Sequence, residues 1–261
     1  MRLLTFLSDF GSGSPYPAAM KAVAAGLCDA RLIDISHDVR PGSIREAAYL
    51  LWSLAPACAP GTVHCAVIDP GVGTARAALA VASGEQIFVG PDNGLLLPAA
   101  RRLGTPAVYR LRDAGMWRHP VSATFHGRDV FAPTAARLAA GAPLVAVGGP
   151  VAEYVDLQFP AGRRDGATLV GEVLWIDRFG NLVTSIPGAL LETVPQGREV
   201  VIEATSATLS AVSAGTFADV APGKMAVLVG SDGLVEVAQN GGSAAAAFSA
   251  AFGMPLRVRP A

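Results

Sequence analysis

Residues 62–76 have the sequence TVHCAVIDPGVGTAR, which indicates the class of fold. Thr62–Ile68 is an almost continuous apolar run, which is typical of a strand buried on both faces of a sheet. Asp69 follows the run directly, and a glycine-rich turn then leads to Arg76. A strand of this kind needs helices on both sides, so the stretch predicts a mostly parallel sheet in an α/β domain.

The surrounding sequence supports this prediction, because short apolar runs alternate with alanine-rich helical stretches over residues 1–160. We therefore expect an N-terminal α/β domain over that range. Ser43 and Glu46 have the spacing of a capping box at the start of a helix. The predicted strands are Leu3–Leu7, Arg31–Ile35, Leu79–Val81, Gln86–Val89 and Val121–Phe125, and the predicted helices are Tyr16–Cys28, Ile44–Leu54 and Asp129–Ala140.

The pattern changes after Pro160, where residues 160–166 form a polar segment with glycine and proline that is typical of a linker. Short strands separated by turn signals follow, which favours a small antiparallel β-barrel or sandwich. We expect a C-terminal antiparallel β-barrel domain over residues 168–261. Its predicted strands are Leu169–Ile176, Asn181–Ile186, Glu199–Ala204, Met225–Val229 and Leu234–Ala238.

The composition excludes several classes of protein. Hydrophobic residues make up 51% of the 261 residues and the formal net charge is −1, so neither disorder nor electrostatic binding of nucleic acid is expected. No apolar run approaches the roughly 20 residues that a bilayer span needs. Three cysteines without a CxxC pair favour a reduced, cytoplasmic setting. A charged fraction of only 16% favours an oligomer.

Familiar cofactor and nucleophile motifs do not occur. Gly71-Val72-Gly73 lacks the third glycine of a dinucleotide fingerprint, and the chain has no GxxxxGK[ST] loop, no HExxH and no GxSxG. No histidine, cysteine or carboxylate spacing is typical of a metal site. We therefore expect neither a cofactor nor a metal.

Polar residues instead follow several predicted strands, at the sheet edge where α/β proteins bind ligands. Asp9, Asp69, Asp92 and His126 each follow a strand, and Arg76 is seven residues after Asp69. Each also has a structural explanation: a helix cap, a surface ion pair, a turn or a buried polar group. Together, a carboxylate, a guanidinium and an imidazole are able to orient and polarise a water molecule.

Two further polar segments lie in the second half of the chain. Residues 177–181 read DRFGN and residues 231–236 read SDGLVE. Taken alone, both are typical of turns between strands.

In this order, the clusters resemble the family of S-adenosyl-L-methionine hydrolases (adenosine-forming), also called hydroxide adenosyltransferases, to which the fluorinases and chlorinases are related. The most specific pieces are Thr62–Arg76, Thr124–Pro133 and Asp177–Asn181 at their mutual spacing. The resemblance extends from Ser8 to Ala245, which is nearly the whole chain.

The resemblance implies an N-terminal α/β domain, a C-terminal β-barrel domain and a homotrimer. Each site would lie between the N-terminal domain of one subunit and the C-terminal domain of the next. It implies that Asp69, Arg76 and His126 activate water and that Asp9 holds the ribose hydroxyls. It further assigns to substrate binding Asp177 and Ser231 (methionine ends), Phe179 and Asn181 (nucleoside) and Glu236 (adenine side).

The implied reaction is displacement of methionine from ribose C5′ of S-adenosyl-L-methionine by water, without a cofactor. Two alternatives stay open. Halogenation is less favoured, because an anionic Asp69 repels halide and halogenating relatives place hydroxyl and aromatic groups where this chain has Asp69 and Val72. A non-catalytic nucleoside-binding protein needs no group like Asp69, Arg76 and His126.

Overall fold

A six-stranded sheet forms around the buried strand that the sequence predicts. The computed structural model describes residues 2–261, and the chain divides into one unit up to Gln158 and a second from Phe159 to Ala261. In the first unit the strand order is β2-β1-β3-β5-β4-β6. The bounds are β1 Leu3–Ser8, β2 Arg31–Ser36, β3 Val63–Val67, β4 Ala78–Ser83, β5 Gln86–Pro91 and β6 Ala107–Arg110.

The sheet is mostly parallel, as predicted. β1, β2, β3 and β5 run in one direction, and β4 runs antiparallel to both of its neighbours, β5 and β6. All five residues of β3 are buried, because helices cover the sheet. Helix α1 packs against α4, and α2 packs against α3. The helices are α1 Pro15–Ala25, α2 Ile44–Leu54, α3 Leu97–Leu103 and α4 Ala132–Ala139.

Two local predictions for this unit are wrong. Val121–Phe125 is a loop and not a strand; Val121 and Phe125 still pack against the core, so apolar residues alone did not make a strand. The predicted helix over residues 129–140 begins instead as a π-helix, Gly127–Phe131, which continues into α4.

The predicted capping box does not form at α2. The Ser43 side chain makes no capping hydrogen bond. Arg40 competes for both members of the box, because it donates from Nε to Glu46 over 2.9 Å and from Nη2 to the Ser43 hydroxyl over 3.4 Å. The helix nevertheless spans the predicted residues, since its buried face includes Ala47, Ala48 and Leu51.

The second unit is a closed β-barrel, as predicted. Seven strands follow one another in the order β14-β10-β11-β12-β13-β9-β8, and pairing of β14 with β8 closes the ring. The bounds are β8 Thr168–Ile176, β9 Leu182–Pro187, β10 Glu199–Ala204, β11 Thr208–Ser213, β12 Met225–Val229, β13 Leu234–Gln239 and β14 Pro255–Pro260, with short helices α5 Gly188–Leu191 and α6 Ala244–Ala247.

The barrel differs from the prediction in three details. Two of its seven strands, β11 and β14, were not among the predicted strands. The pairing of β11 with β12 is parallel, whereas the other six pairs of the ring are antiparallel. Within the segment predicted to be a linker, Arg163–Asp165 forms a short strand, β7, that pairs with β8. None of the helices formed by residues 2–261 has the length and apolar character that a bilayer crossing requires.

Candidate active site

The direction of the strands brings three predicted site residues to one edge of the sheet. Asp9 follows the carboxyl end of β1, and Asp69 lies two residues beyond the carboxyl end of β3. Strand β4 runs the opposite way, so its amino end, which Arg76 precedes, is at this same edge. The carboxyl edge of a parallel sheet is where α/β proteins bind ligands.

Arg76 binds Asp69 with both arms of its guanidinium. Nε donates to Asp69 Oδ1 over 2.8 Å and Nη2 donates to Oδ2 over 2.5 Å. The side chains are mostly buried, with 13% of Arg76 and 6% of Asp69 exposed, and such two-pronged, charge-assisted pairs are strong and directional. This pair is therefore a rigid element and not the surface ion pair that the sequence also allowed.

His126 joins this pair through its Nδ1 atom, which lies 2.8 Å from Nη2 of Arg76. An arginine has only donors, so Nδ1 must be the acceptor and carries no proton. The imidazole is then neutral, with its proton on Nε2. Burial, followed by the nearby charge of Arg76, lowers the pKa of His126 below its ordinary value and keeps it in this form.

A close approach of two loops brings His126 to Arg76. Gly73, with φ of +78°, lies so near the backbone of Ala123 that a Cβ atom would be 2.5 Å from the Ala123 carbonyl oxygen. Gly127, directly after His126, is packed against Phe10 and Met20, where a Cβ atom would meet both at 3.2 Å. Sequence analysis missed both glycines as site residues, although Gly73 was noted as part of an incomplete fingerprint.

Asp129 anchors the loop that carries His126, and it too was missed. Its fully buried carboxylate accepts hydrogen bonds from Arg128 Nε over 2.7 Å, Arg118 Nη1 over 2.9 Å and the Ser122 amide over 2.9 Å. Although burial acts to raise it, these hydrogen bonds and charges lower the pKa of Asp129 to about 2. The carboxylate is thus ionised, and through its hydrogen bonds to Arg118 and Arg128 it holds the two ends of the loop together. Its place three residues after His126 was the signal available in the sequence.

Asp9 and Asn93 are held by backbone groups at the same edge. The amide of Gly42 donates to Asp9 Oδ2 over 2.8 Å, and no group within residues 2–261 donates to Oδ1. Asn93 donates to the carbonyl of Ile68 over 2.7 Å and so fixes the residue that precedes Asp69. The neighbouring Asp92 accepts from the amide of Val155 over 2.8 Å, which agrees with a structural part for residues 92–93.

An aromatic group lies beside these polar residues. Phe10 packs edge to face on Tyr16 and on Phe125, with ring centroids 6.0 and 5.8 Å apart. The three rings, with Thr124 and Arg128, line an open cavity of about 420 Å³. Since Phe10 and Phe125 are direct neighbours of Asp9 and His126 in the sequence, the cavity lies next to the polar site.

In the barrel unit, Asp177 shapes the turn between β8 and β9. Its Oδ1 accepts from the amides of Phe179 and Asn181, each over 2.8 Å, and its Oδ2 accepts from the Asn181 side chain over 2.8 Å. Asn181 is buried, whereas the ring of Phe179 is 77% exposed. Both residues line a cleft of about 710 Å³ together with Phe217 and residues 239–243.

Ser231 and Glu236 lie at the next turn of the barrel. Ser231 is exposed in the turn between β12 and β13, and Glu236 is a partly buried residue of β13. Burial raises the pKa of Glu236, and the negative charges of Asp177 and Asp232 raise it further. These groups form an acidic end to the turn region of the barrel. Within residues 2–261, no cluster of three or more histidine, cysteine or carboxylate side chains is arranged to hold a metal ion.

Comparisons with known proteins find similar sequences over nearly the whole chain. Family models of the SAM hydroxide adenosyltransferase N-terminal domain and C-terminal domain match residues 4–148 and 171–257. An (R)-S-adenosyl-L-methionine hydrolase of Salinispora tropica is 45% identical over 98% of this chain and 97% of its own length. A fluorinase of Actinopolyspora mzabensis is 27% identical over 98% and 96%.

A solved structure is also similar over the full length of the chain. It is a crystal structure of an uncharacterized conserved protein from Thermotoga maritima. Its TM-score is 0.94 and its sequence identity is 34%, over 98% of this chain and 100% of that one.

Proposed function

Because the chain belongs to the SAM hydroxide adenosyltransferase family, we propose that it hydrolyses S-adenosyl-L-methionine to adenosine and L-methionine. The observation that carries this proposal is the unit formed by Asp69, Arg76 and His126, in which one guanidinium binds a carboxylate and a neutral imidazole. A protein that only binds nucleosides has no use for such a unit. This chain is 45% identical to a hydrolase and only 27% identical to a fluorinase, which favours water over halide as the nucleophile.

The chemistry is a single displacement at ribose C5′. The substrate is a sulfonium, so methionine leaves as a neutral thioether and the C5′–S bond breaks as a C5′–O bond forms. Water supplies the oxygen and loses one proton. No cofactor is needed, because the leaving group is already activated by its positive charge. Holding the water in line with the C5′–S bond supplies much of the rate, since it removes the entropy of encounter.

The three side chains have different parts in this step. Nε2 of His126 carries a proton, so it donates a hydrogen bond to the water oxygen and orients the water. It does not act as the base. Asp69 is the anionic acceptor of the group and takes the proton that the water loses. Arg76 holds both in fixed positions, and its charge keeps the imidazole neutral. A negative carboxylate in this position also repels fluoride and chloride.

The remaining predicted residues bind the substrate in this proposal. Asp9 holds the ribose hydroxyls through its unoccupied oxygen, Phe179 and Asn181 line the nucleoside, and Glu236 lies on the adenine side. Asp177 and Ser231 bind the amino and carboxylate ends of methionine.

The protein is proposed to be a homotrimer, with each site completed by the barrel unit of a neighbouring subunit. The high exposure of the Phe179 ring in a single chain supports this. Three free thiols support a cytoplasmic setting.

Product analysis tests the proposal. Pure protein is incubated with S-adenosyl-L-methionine in buffers with and without chloride or fluoride, and the products are separated by chromatography. Adenosine and methionine in equal amounts in every buffer are expected. A 5′-halo nucleoside would instead establish halogenation, and no product with retained adenosine binding would establish a binding protein.

The variant Asp69→Ala separates catalysis from binding. We expect no measurable turnover and an adenosine Kd within about twofold of the wild type, because Asp69 faces the water and not the nucleoside. Asp92→Ala is the matched control, since it removes a carboxylate from the same sheet edge that is bonded to the amide of Val155. Equal losses of turnover and adenosine binding in Asp69→Ala would mean that Asp69 is structural.

A further inference from the structure

A chain of polar contacts, exposed at its outer end and buried at its inner end, runs from helix α1 to the end of β1, next to Asp9. Lys21 Nζ lies 2.7 Å from Asp34 Oδ2, and Asp34 Oδ1 lies 3.0 Å from His37 Nε2. Nδ1 of His37 then lies 2.7 Å from the hydroxyl oxygen of Ser8. Ser8 is fully buried and His37 is only 5% exposed, so the inner end of the chain is shielded from water.

Serine, histidine and aspartate are the residue types of a hydrolytic triad, but Ser8 is not placed to act as a nucleophile. With no exposed surface, the Ser8 hydroxyl is out of reach of any substrate carbonyl. The negative Asp34 beside Nε2 favours a proton on that nitrogen, although the angle of this contact is not that of a hydrogen bond. Nδ1 is then free to accept the proton of the Ser8 hydroxyl. The hydrogen bond to Ser8 and the negative charge of Asp34 together favour one orientation of the imidazole ring.

His37 binds Ser8 and Gly11, the residues on either side of the pair Asp9 and Phe10. Its side chain binds Ser8, and its backbone carbonyl accepts from the amide of Gly11 over 2.7 Å. Five residues further along, the amide of Gly42 donates to the Asp9 carboxylate. The loop from His37 to Gly42 thus holds the Asp9 backbone on both sides and binds its side chain at the far end.

We infer that His37 is a positioning residue for Asp9, acting through Ser8 and Gly11, and that Asp34 and Lys21 set the orientation of its ring. The inference rests on the proposed part of Asp9 in holding the ribose. Loss of the bond to Ser8 removes the anchor on the amino-terminal side of Asp9. The contacts of Gly11 with His37, Ser12 with Asp38 and Gly42 with Asp9 remain, so the carboxylate is still bound but its direction is less fixed. The cost is weaker nucleoside binding, and the Asp69, Arg76 and His126 group is left intact.

The variant Ser8→Ala tests this inference against a closely matched control, Thr5→Val. Thr5 lies on the same strand, is equally buried, and its hydroxyl is 2.8 Å from Nδ1 of another buried histidine, His64. Both variants lose a buried hydroxyl–imidazole bond, and Ser8→Ala also loses the 3.4 Å contact of the Phe10 amide with the Ser8 hydroxyl, which the His37 variants leave in place. Both variants are expected to lower the melting temperature. Only Ser8→Ala is expected to raise the adenosine Kd and the KM, by about five- to tenfold, with kcat changed less than twofold.

Rescue at His37 is the second measurement. His37→Asn places an amide oxygen near the position of Nδ1 and is expected to keep the adenosine Kd within about twofold, whereas His37→Ala is expected to weaken binding as much as Ser8→Ala. Equal Kd values for Ser8→Ala and Thr5→Val, or equal losses in both His37 variants, would overturn the inference.

The variant Asp9→Asn separates this inference from the proposed function. If it leaves the adenosine Kd unchanged, the proposed part of Asp9 fails. If it weakens binding while Ser8→Ala does not, the positioning of Asp9 by His37 fails and the part of Asp9 stands.

Discussion

Replacing Arg76 by lysine keeps the positive charge but removes the fork on which the site depends. The Arg76 side chain makes three hydrogen bonds to other side chains, two to Asp69 and one to His126, and a longer one of 3.4 Å to the Ala77 carbonyl. A lysine carries a single nitrogen and cannot keep the parallel pair and the bond to His126 together. At least two charge-assisted bonds are therefore lost, each worth about 1.5–3 kcal/mol.

The summed loss of about 3–6 kcal/mol corresponds to a decrease in kcat/KM of about 10²- to 10⁴-fold, at about 1.4 kcal/mol per factor of ten. Adenosine affinity is expected to stay within about twofold, because the side-chain partners of Arg76 are Asp69 and His126, which activate water in the proposed reaction. The assay is steady-state turnover of S-adenosyl-L-methionine, with the adenosine Kd measured by calorimetry on the same preparation.

The control for this variant is Arg101→Lys, which alters an arginine–carboxylate pair with Asp156 elsewhere in the first unit. That pair is about one third exposed, so little change in either stability or turnover is expected. If Arg76→Lys retains more than a tenth of wild-type kcat/KM, the geometry of the fork is not needed for catalysis. Positive charge alone would then be sufficient at position 76.

Three further predictions concern the loop that carries His126. Protonation of His126 removes the lone pair that accepts the hydrogen bond from Arg76, and the pKa of His126 is lowered. The value of kcat/KM should therefore be constant above about pH 7 and fall only below the ordinary histidine pKa near 6.5. The Asp129 carboxylate, with a pKa of about 2 against an ordinary 3.8, contributes stability that is complete above about pH 4 and is lost towards pH 2; Asp129→Asn should remove this acid dependence of the melting temperature and lower kcat. Gly73→Ala should lower both the melting temperature and kcat, since its Cβ meets the Ala123 carbonyl at 2.5 Å.

Each of these predictions has its own refuting outcome. A pH profile that begins to fall above pH 7 would mean that a different group controls activity. An Asn variant at position 129 with wild-type kcat and an unchanged acid transition would show that Asp129 does not hold the loop. Gly13→Ala is the control for Gly73→Ala, because a Cβ atom at position 13 meets nothing within 4 Å. If the two variants have equal effects, the contact of Gly73 with Ala123 is not what holds the loop.

The large features of the fold follow from patterns that depend on burial. The apolar run that contains β3 predicts a strand covered on both sides, and all of β3 is buried. Strand direction within the barrel is a different matter, because β11 has no continuous apolar run of the kind that indicates a parallel sheet around β3. The parallel pairing of β11 with β12 was for this reason not predictable.

Errors occurred where tertiary contacts replace local signals. The apolar residues of segment 121–125 suggest a strand, but Phe125 is engaged with the rings of Phe10 and Tyr16. At α2, Arg40 takes the partners that a capping box needs. The meeting of Arg76 with His126, which is 50 residues away, depends on the contact of Gly73 with Ala123. The residue types alone show which groups are suited to a water-activating site, and only the resemblance to a family indicated that these three act together.

Isotope labelling of the transferred oxygen is the most direct measurement of the proposed reaction. The protein is given S-adenosyl-L-methionine in water enriched in ¹⁸O, and the adenosine and methionine are analysed by mass spectrometry. Attack of water at C5′ predicts one ¹⁸O atom in the adenosine 5′-hydroxyl and none in methionine. Adenosine without the label, or label in methionine, would contradict displacement by water at that carbon.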